Sequence, residues 1–345
     1  MKKIKYSKLL EFSFNILKKS GVKTEIARIV SEGLCETSIR GTDSHGIRLL
    51  EHYSQSALLG RKNPRPKIKI YRPFPSICKI DGDNTYGHYL GIKAVNEGIK
   101  MAKKNGIAFV NVYNSTHCGA LAYSAIHASK KGYICMSFTH ADSLMLTHNS
   151  IDTFFGTNPI CFSAPRKNEE PFCLDMATTN ISWNKMLANK KQNINFKDKI
   201  LADKNGNPTG NTKLAKSLIA IGGYKGFGLG MMVEIMCGVY SGMNIGKKIP
   251  SMFTSPLNIR RKLSQSYIIL RTDAVINQKD FIKSLSKMSK QIRNQIPKKG
   301  ENIMVANDPE IKSKKLRLKH GIPITDEIEQ QFKRLSKKFK VFLKV

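Results

Sequence analysis

The sequence predicts an α/β protein with a helical beginning and a helical end, on three observations. Between residues 77 and 139, short apolar runs alternate with amphipathic stretches at the spacing of strand, helix, strand, helix, strand. Ahead of them, apolar residues recur at helical spacing over 4–19 and 24–40, and the same periodicity returns over 278–295 and 325–340. Glycine-bearing turns follow several of the strand-like runs. At 345 residues the chain can hold two or three domains.

In order, Leu9, Leu10, Phe12, Ile16 and Leu17 mark the first helix, and Ile26, Ile29, Val30, Leu34 and Ile39 the second. A third is expected to open at Gly41-Thr42-Asp43-Ser44-His45-Gly46-Ile47-Arg48 and run to about Leu59. Residues 60–75, rich in Pro and basic side chains, read as a linker or surface loop. A strand at 77–80, a turn at 81–84, a helix over 87–104 stopping at Asn105-Gly106, and a buried strand at 107–112 follow. A helix at 119–130 and strands at 133–139, 160–164 and 172–174 complete the α/β pattern. Residues 189–217 read as polar and irregular. Residues 225–241 read as a buried helix, because the apolar run is short and carries Glu234. A basic loop over 247–262 leads to a strand at 267–270.

Hydrophobic content of 41% and charged content of 24% are those of ordinary soluble proteins, but a net charge of +33 is not. The lysines are spread along the chain, and neither a zinc-finger spacing nor an aromatic RNA-binding signature occurs. Solvated basic faces that steer anionic small molecules are therefore expected, with no nucleic-acid partner and no membrane partner. Seven scattered cysteines without a Cys-x-x-Cys pair argue against a disulfide framework and for a reduced, cytoplasmic setting. The histidines lack a ligand-like pair, so no metal is expected.

Ser44, His45 and Arg48 put a hydroxyl, an imidazole and a guanidinium within five residues. On a helix, Ser44 and Arg48 would be four apart and His45 and Arg48 three apart, on one face. A guanidinium grips a carboxylate in a two-bond fork, and an imidazole carries a proton near neutral pH. The same stretch also reads as an ordinary helix start with a Ser or Asp cap and a solvated Arg. His117 stands in the loop after the 107–112 strand, where α/β sheets bind ligands, or merely bonds backbone there. Thr157 and Asn158 lie in the tight turn Gly156-Thr157-Asn158-Pro159. Asp175, followed by Met176 and Ala177, ends a strand, where it can accept from cofactor hydroxyls or cap a helix. Lys225 within Gly222-Gly223-Tyr224-Lys225-Gly226-Phe227-Gly228 makes a helix start suited to an anion. It is neither the dinucleotide-binding glycine fingerprint, which fails at Met231, nor a Walker loop.

Together these motifs resemble the malate/L-lactate dehydrogenase family of the non-Rossmann type, which also holds ureidoglycolate, sulfolactate, diketogulonate and cyclic-imine reductases. The resemblance is carried by Asp43-Ser44-His45-Gly46 with Arg48 and Tyr53, Asn114-Ser115 with His117 and Gly119, Gly156 to Pro159, Asp175 to Thr178, Asp203 with Gly206, Pro208 and Thr209, and Lys225-Gly226 with Gly228-Leu229. It implies a mixed-sheet, non-Rossmann NAD(P)-binding domain over 76–271. A helical segment over 1–75 would carry the Ser-His-Gly motif, and C-terminal helices over 272–345 would pack back on it. It implies NAD or NADP, with NAD favoured, a small anionic 2-oxo or 2-hydroxy acid, and a homodimer. Ser44, His45 and His117 then look catalytic, Arg48 clamps the substrate carboxylate, and Asp175, Met176, Ala177, Lys225, Thr157 and Asn158 contact the cofactor. The departures are Trp183-Asn184, expected to reshape the pocket, Ala306-Asn307, and a short loop at 250–262. A reductase of a related substrate, or a catalytically silent binding protein on the same fold, remain alternatives.

Overall fold

The computed structural model describes residues 2–343. Helices α1 (Tyr6–Lys19) and α2 (Thr24–Ile39) form where their periodicity predicts. Their apolar stripes, including Leu9, Phe12, Ile16, Val30 and Leu34, share one core with Ile328, Phe332 and Leu335 from the far end of the chain. The Phe12 and Phe332 rings lie 5.1 Å apart. A small antiparallel pair, Lys2–Ile4 with Ile322–Ile324, ties the two ends together.

The third helix is shorter than the sequence suggests. α3 spans Leu50–Leu58, and the Ser-His-Gly motif ahead of it is two separate 3₁₀ turns, Asp43–His45 and Ile47–Leu49. Gly46, at φ −94° and ψ −143°, breaks the helix between them. A side chain at Gly46 would collide with Ser38 at the end of α2, so tertiary closeness sets the break. The i, i+4 geometry expected for Ser44 and Arg48 is accordingly replaced by a kinked turn.

The 60–75 stretch is also corrected. Lys69–Phe74 is strand β1, and Arg61 and Lys62 are 1% and 2% exposed, not surface groups. Strands β2 (Ile77–Asp81), β3 (Ile107–Ser115), β4 (Tyr133–Thr139), β5 (Ile160–Ala164), β6 (Phe172–Met176) and β7 (Leu263–Arg271) complete a sheet in the order β1-β2-β3-β7-β4-β5-β6. Only β2 and β3 pair in parallel, so the sheet is mixed, with late β7 inserted at its centre. Helices α4 (Gly87–Asn105) and α5 (Ala122–Lys130) bury their apolar sides against it.

Residues 189–217 are less irregular than expected. Helix α6 (Trp183–Lys191) reaches into them, and short strands at Leu201–Ala202, Pro208–Thr209 and Ser217–Leu218 join Met145–Leu146 and Thr153–Phe155 in a second sheet. The expected buried helix is α7 (Tyr224–Glu234), continued by a π turn over Ile235–Val239. One stripe, with Gly230, Val233, Glu234 and Cys237, is buried. The other is exposed, with Met231, Ile235 and Val239 at i, i+4 and i+8, so this element is not a buried helix. Helices α8 (Gln278–Arg293), α9 (Asp308–His320) and α10 (Asp326–Phe339) close the chain. All seven cysteines are free and buried. Among the described residues no helix is long and apolar enough to cross a membrane.

Candidate active site

The kinked turn after α2 is fastened from several sides. The Asp43 carboxylate pairs with both Arg317 terminal nitrogens of α9, at 2.5 and 2.9 Å. Ser38 Oγ accepts the Ile47 N–H at 2.8 Å, and the Asn184 amide donates to the Ser44 carbonyl at 3.1 Å. What these contacts hold in place is the pair Ser44 and His45, with Ser44 Oγ 2.8 Å from His45 Nδ1.

The His45 ring stacks on His117, with centroids 5.6 Å apart and planes 18° apart. His117 Nδ1 lies 2.7 Å from the Tyr53 hydroxyl and receives the Gly119 N–H at 3.3 Å. A backbone N–H aimed at Nδ1 assigns the neutral ring's proton to Nε2, making that nitrogen a donor. Two sequence motifs 72 residues apart thus meet through side chains of the turn and of the loop after β3.

Loss of water, then the Arg48 charge, lower the His45 pKa to about 4. Burial, followed by His45, Lys62, Arg261 and His88, holds His117 well below the usual histidine value. Both rings are neutral at pH 7. Half-buried Arg48 makes no hydrogen bond or ion pair among the described residues. It is a free guanidinium beside a neutral imidazole.

Ser44 and His45 open onto a cleft of about 740 Å³. Thr157, Asp175, Met176 and Ala177 line its wall, and Gly119 to Ala122, at the start of α5, line it as well. The Asp175 carboxylate faces the cleft and accepts the Ala122 N–H at 2.8 Å. The enclosing walls, against that N–H, push its pKa up to about 6. The volume is that of a site for a nucleotide-sized ligand.

Two residues expected to contact the cofactor do not line this cleft. Asn158 is fully buried, and its amide is committed to Ala141 N–H, the Gly230 carbonyl and Glu234. It braces α7 rather than facing the cleft. Lys225 is exposed at the start of α7 and does not line this cleft; its neighbours Gly223 and Phe227 line a separate cavity of about 500 Å³. Trp183 also differs from expectation, packing beside Met186 and Leu201 rather than lining the cleft. His117 and Arg48 are not in the cleft wall either; His117 is joined to it through stacked His45. Sequence reasoning quoted Tyr53 without giving it a role and missed Lys62 altogether. Tyr53 sits at an apolar position of a helical pattern, and Lys62 is one lysine among many in a basic segment.

A stacked imidazole pair, an unpaired guanidinium and a cleft of about 740 Å³ in a mixed α/β fold suit a dehydrogenase acting on CH–OH groups, the class that the chain's relatives define. The sequence profile of the malate/L-lactate dehydrogenase family matches residues 4–333. The chain is 31% identical to the NAD(+) ureidoglycolate dehydrogenase of Escherichia coli K12, over 95% of this chain and 94% of that one. It superposes on malate dehydrogenase from Entamoeba histolytica with a TM-score of 0.94 at 26% identity, covering 100% and 99% of the two chains. Sulfolactate dehydrogenase from Methanocaldococcus jannaschii gives a TM-score of 0.92 at 27% identity, covering 99% and 98%. The chain belongs to the malate/L-lactate dehydrogenase family.

Proposed function

We propose that this chain interconverts a small 2-oxo acid and its 2-hydroxy acid with NAD. The observation that carries the reading is the stacked His45–His117 pair, each Nδ1 held by a hydroxyl, beside unpaired Arg48. When bound in the cleft, the nicotinamide supplies or receives the hydride. Arg48 forks onto the substrate carboxylate and fixes the reacting carbon. His117 donates from Nε2 to the substrate oxygen and polarises it. His45, with Nδ1–H given to Ser44, accepts the hydroxyl proton at Nε2 during oxidation and returns it from there to the substrate oxygen during reduction. Ser44 orients that ring, and Asp175 accepts from cofactor hydroxyls on the cleft wall.

NAD is favoured over NADP because a relative is named for NAD(+). Malate, sulfolactate and ureidoglycolate, the substrates in the relatives' names, are the first candidates. The exposed uncharged stripe of α7, on a chain of net charge +33, supports a homodimer joined there. Seven free thiols support a cytoplasmic location.

The test is oxidation of NADH and NADPH by the purified protein against oxaloacetate, pyruvate, sulfopyruvate, 2-oxoglutarate, diketogulonate and a cyclic imine. Turnover of an open-chain 2-oxo acid, faster with NADH, is expected. Cofactor binding with no turnover would favour the silent binding protein, and no cofactor binding would end the dehydrogenase reading.

A further inference from the structure

Lys62 is a buried amine, 2% exposed, with no carboxylate within ion-pair distance among the described residues. Its Nζ donates to Thr116 Oγ1 at 2.7 Å. It also lies 4.4 Å from the centre of the Tyr53 ring and 5.1 Å from that of Tyr86. Burying an amine with so little compensation is costly, so its position calls for a reason. The contacts supply one. Thr116 directly precedes His117, and Tyr53 is the residue whose hydroxyl bonds His117 Nδ1. Tyr86 in turn donates to the Tyr53 carbonyl at 3.0 Å.

We propose that Lys62 is a positioning residue for His117, clamping Thr116 and Tyr53 so that the ring keeps Nδ1 bonded to the protein and Nε2–H free for the substrate oxygen. The proposal rests on the reading of His117 as the oxygen-facing donor. Two effects are combined in it. The Thr116 bond and the aromatic faces hold the geometry, since an ammonium over an aromatic face is attracted to it. In its ammonium form the amine also opposes protonation of His117, adding to the effect of burial on that ring. The other titratable or charged groups facing this cluster are His45 from the kinked turn, His52 from α3, His88 from α4, neighbouring Cys118, Arg61, and Arg261, itself paired with Asp142. Burial, with Arg261 and Arg61, lowers the pKa of Lys62 itself well below the usual amine range.

The test begins with the cofactor-free protein carrying ¹³C-labelled histidine, with the His117 signal assigned by its loss in His117→Gln. Its titration midpoint is expected to rise by about 1 pH unit in Lys62→Met, which keeps the volume and removes the amine. An unchanged midpoint would overturn the proposal, because a lysine that only fills space does not move it. Lys62→Gln serves if Lys62→Met fails to fold. On a turned-over 2-oxo acid, Lys62→Met should lower kcat about 10-fold with KM nearly unchanged, and should cost little more in a Tyr53→Phe background. Full additivity in that double variant would also count against it. Absence of wild-type turnover would remove the dehydrogenase reading, while the titration would still decide the role of Lys62.

Discussion

Arg48 carries a charge that the folded chain leaves unpaired beside His45, and that arrangement suits the arrival of an anion. Arg48→Lys keeps the charge and loses the fork, so KM for the 2-oxo acid should rise at least about 10-fold in steady-state kinetics. An unchanged KM would remove the clamp assignment. His45 must be unprotonated to accept a proton from a hydroxy acid. Its pKa is depressed to about 4, so kcat/KM for oxidation should rise as pH climbs through that value and stay level from about pH 6 to 8. An inflection near the ordinary histidine value would show that the free ring is not shielded as the geometry requires. Asp175 titrates near 6 in the cleft wall, and only its carboxylate accepts two hydroxyl bonds. Cofactor Kd, followed by NADH fluorescence, should therefore increase as pH falls through about 6.

The kinked turn and α7 show how an element's surroundings override its sequence pattern. Gly46 is needed because the turn lies against Ser38, where a methyl group would meet both the hydroxyl and the backbone. Gly46→Ala should destabilise the protein by about 1–3 kcal/mol and displace His45, read as a lower urea midpoint together with reduced kcat. On α7, Met231, Ile235 and Val239 present an apolar row to solvent in the single chain. Placing a charge there, as in Ile235→Glu, should shift a dimer toward monomer in light scattering while leaving the far-ultraviolet dichroism of the fold intact. A protein that is already monomeric before the substitution would remove the α7 interface from the reading.

The whole molecule is basic, yet it holds several histidines in neutral form. Burial is the leading cause at His45, His52, His88 and His127, which fall to about 4, 3, 3 and 4, and at His117, which is held well below its usual value. Each unfolded histidine binds its proton near 6.5, so the unfolded state gains protons first as pH drops. The contribution is full above about 6.5 and is lost as pH falls toward 4 and 3. The melting temperature should accordingly drop by roughly 5 °C or more between pH 7 and 5. A flat profile over that window would show that these rings are not held neutral. The net charge of +33 predicts in addition that KM for an anionic substrate rises with salt, measurable between low and physiological ionic strength.

The amino-acid sequence by itself determined the α/β class, α1, α2, α4, α5 and most strands of the large sheet, because period and turn chemistry are local properties. It also determined the family, through motifs whose order is specific although each is weak alone. The meeting of His45 with His117 was legible only through that resemblance, since they stand 72 positions apart with α3 and α4 between them. Tertiary structure alone decided the rest. It put Lys62 and Arg61 inside, although nothing local distinguishes them from the solvated lysines around them. It turned Asn158 from a cofactor contact into a brace for α7, because Gly230 and Glu234 come within reach only after folding. It set β7 at the centre of the sheet and left one side of an apolar helix in water. In each case the deciding quantity is which distant surface arrives, and a linear pattern of side chains does not encode that on its own.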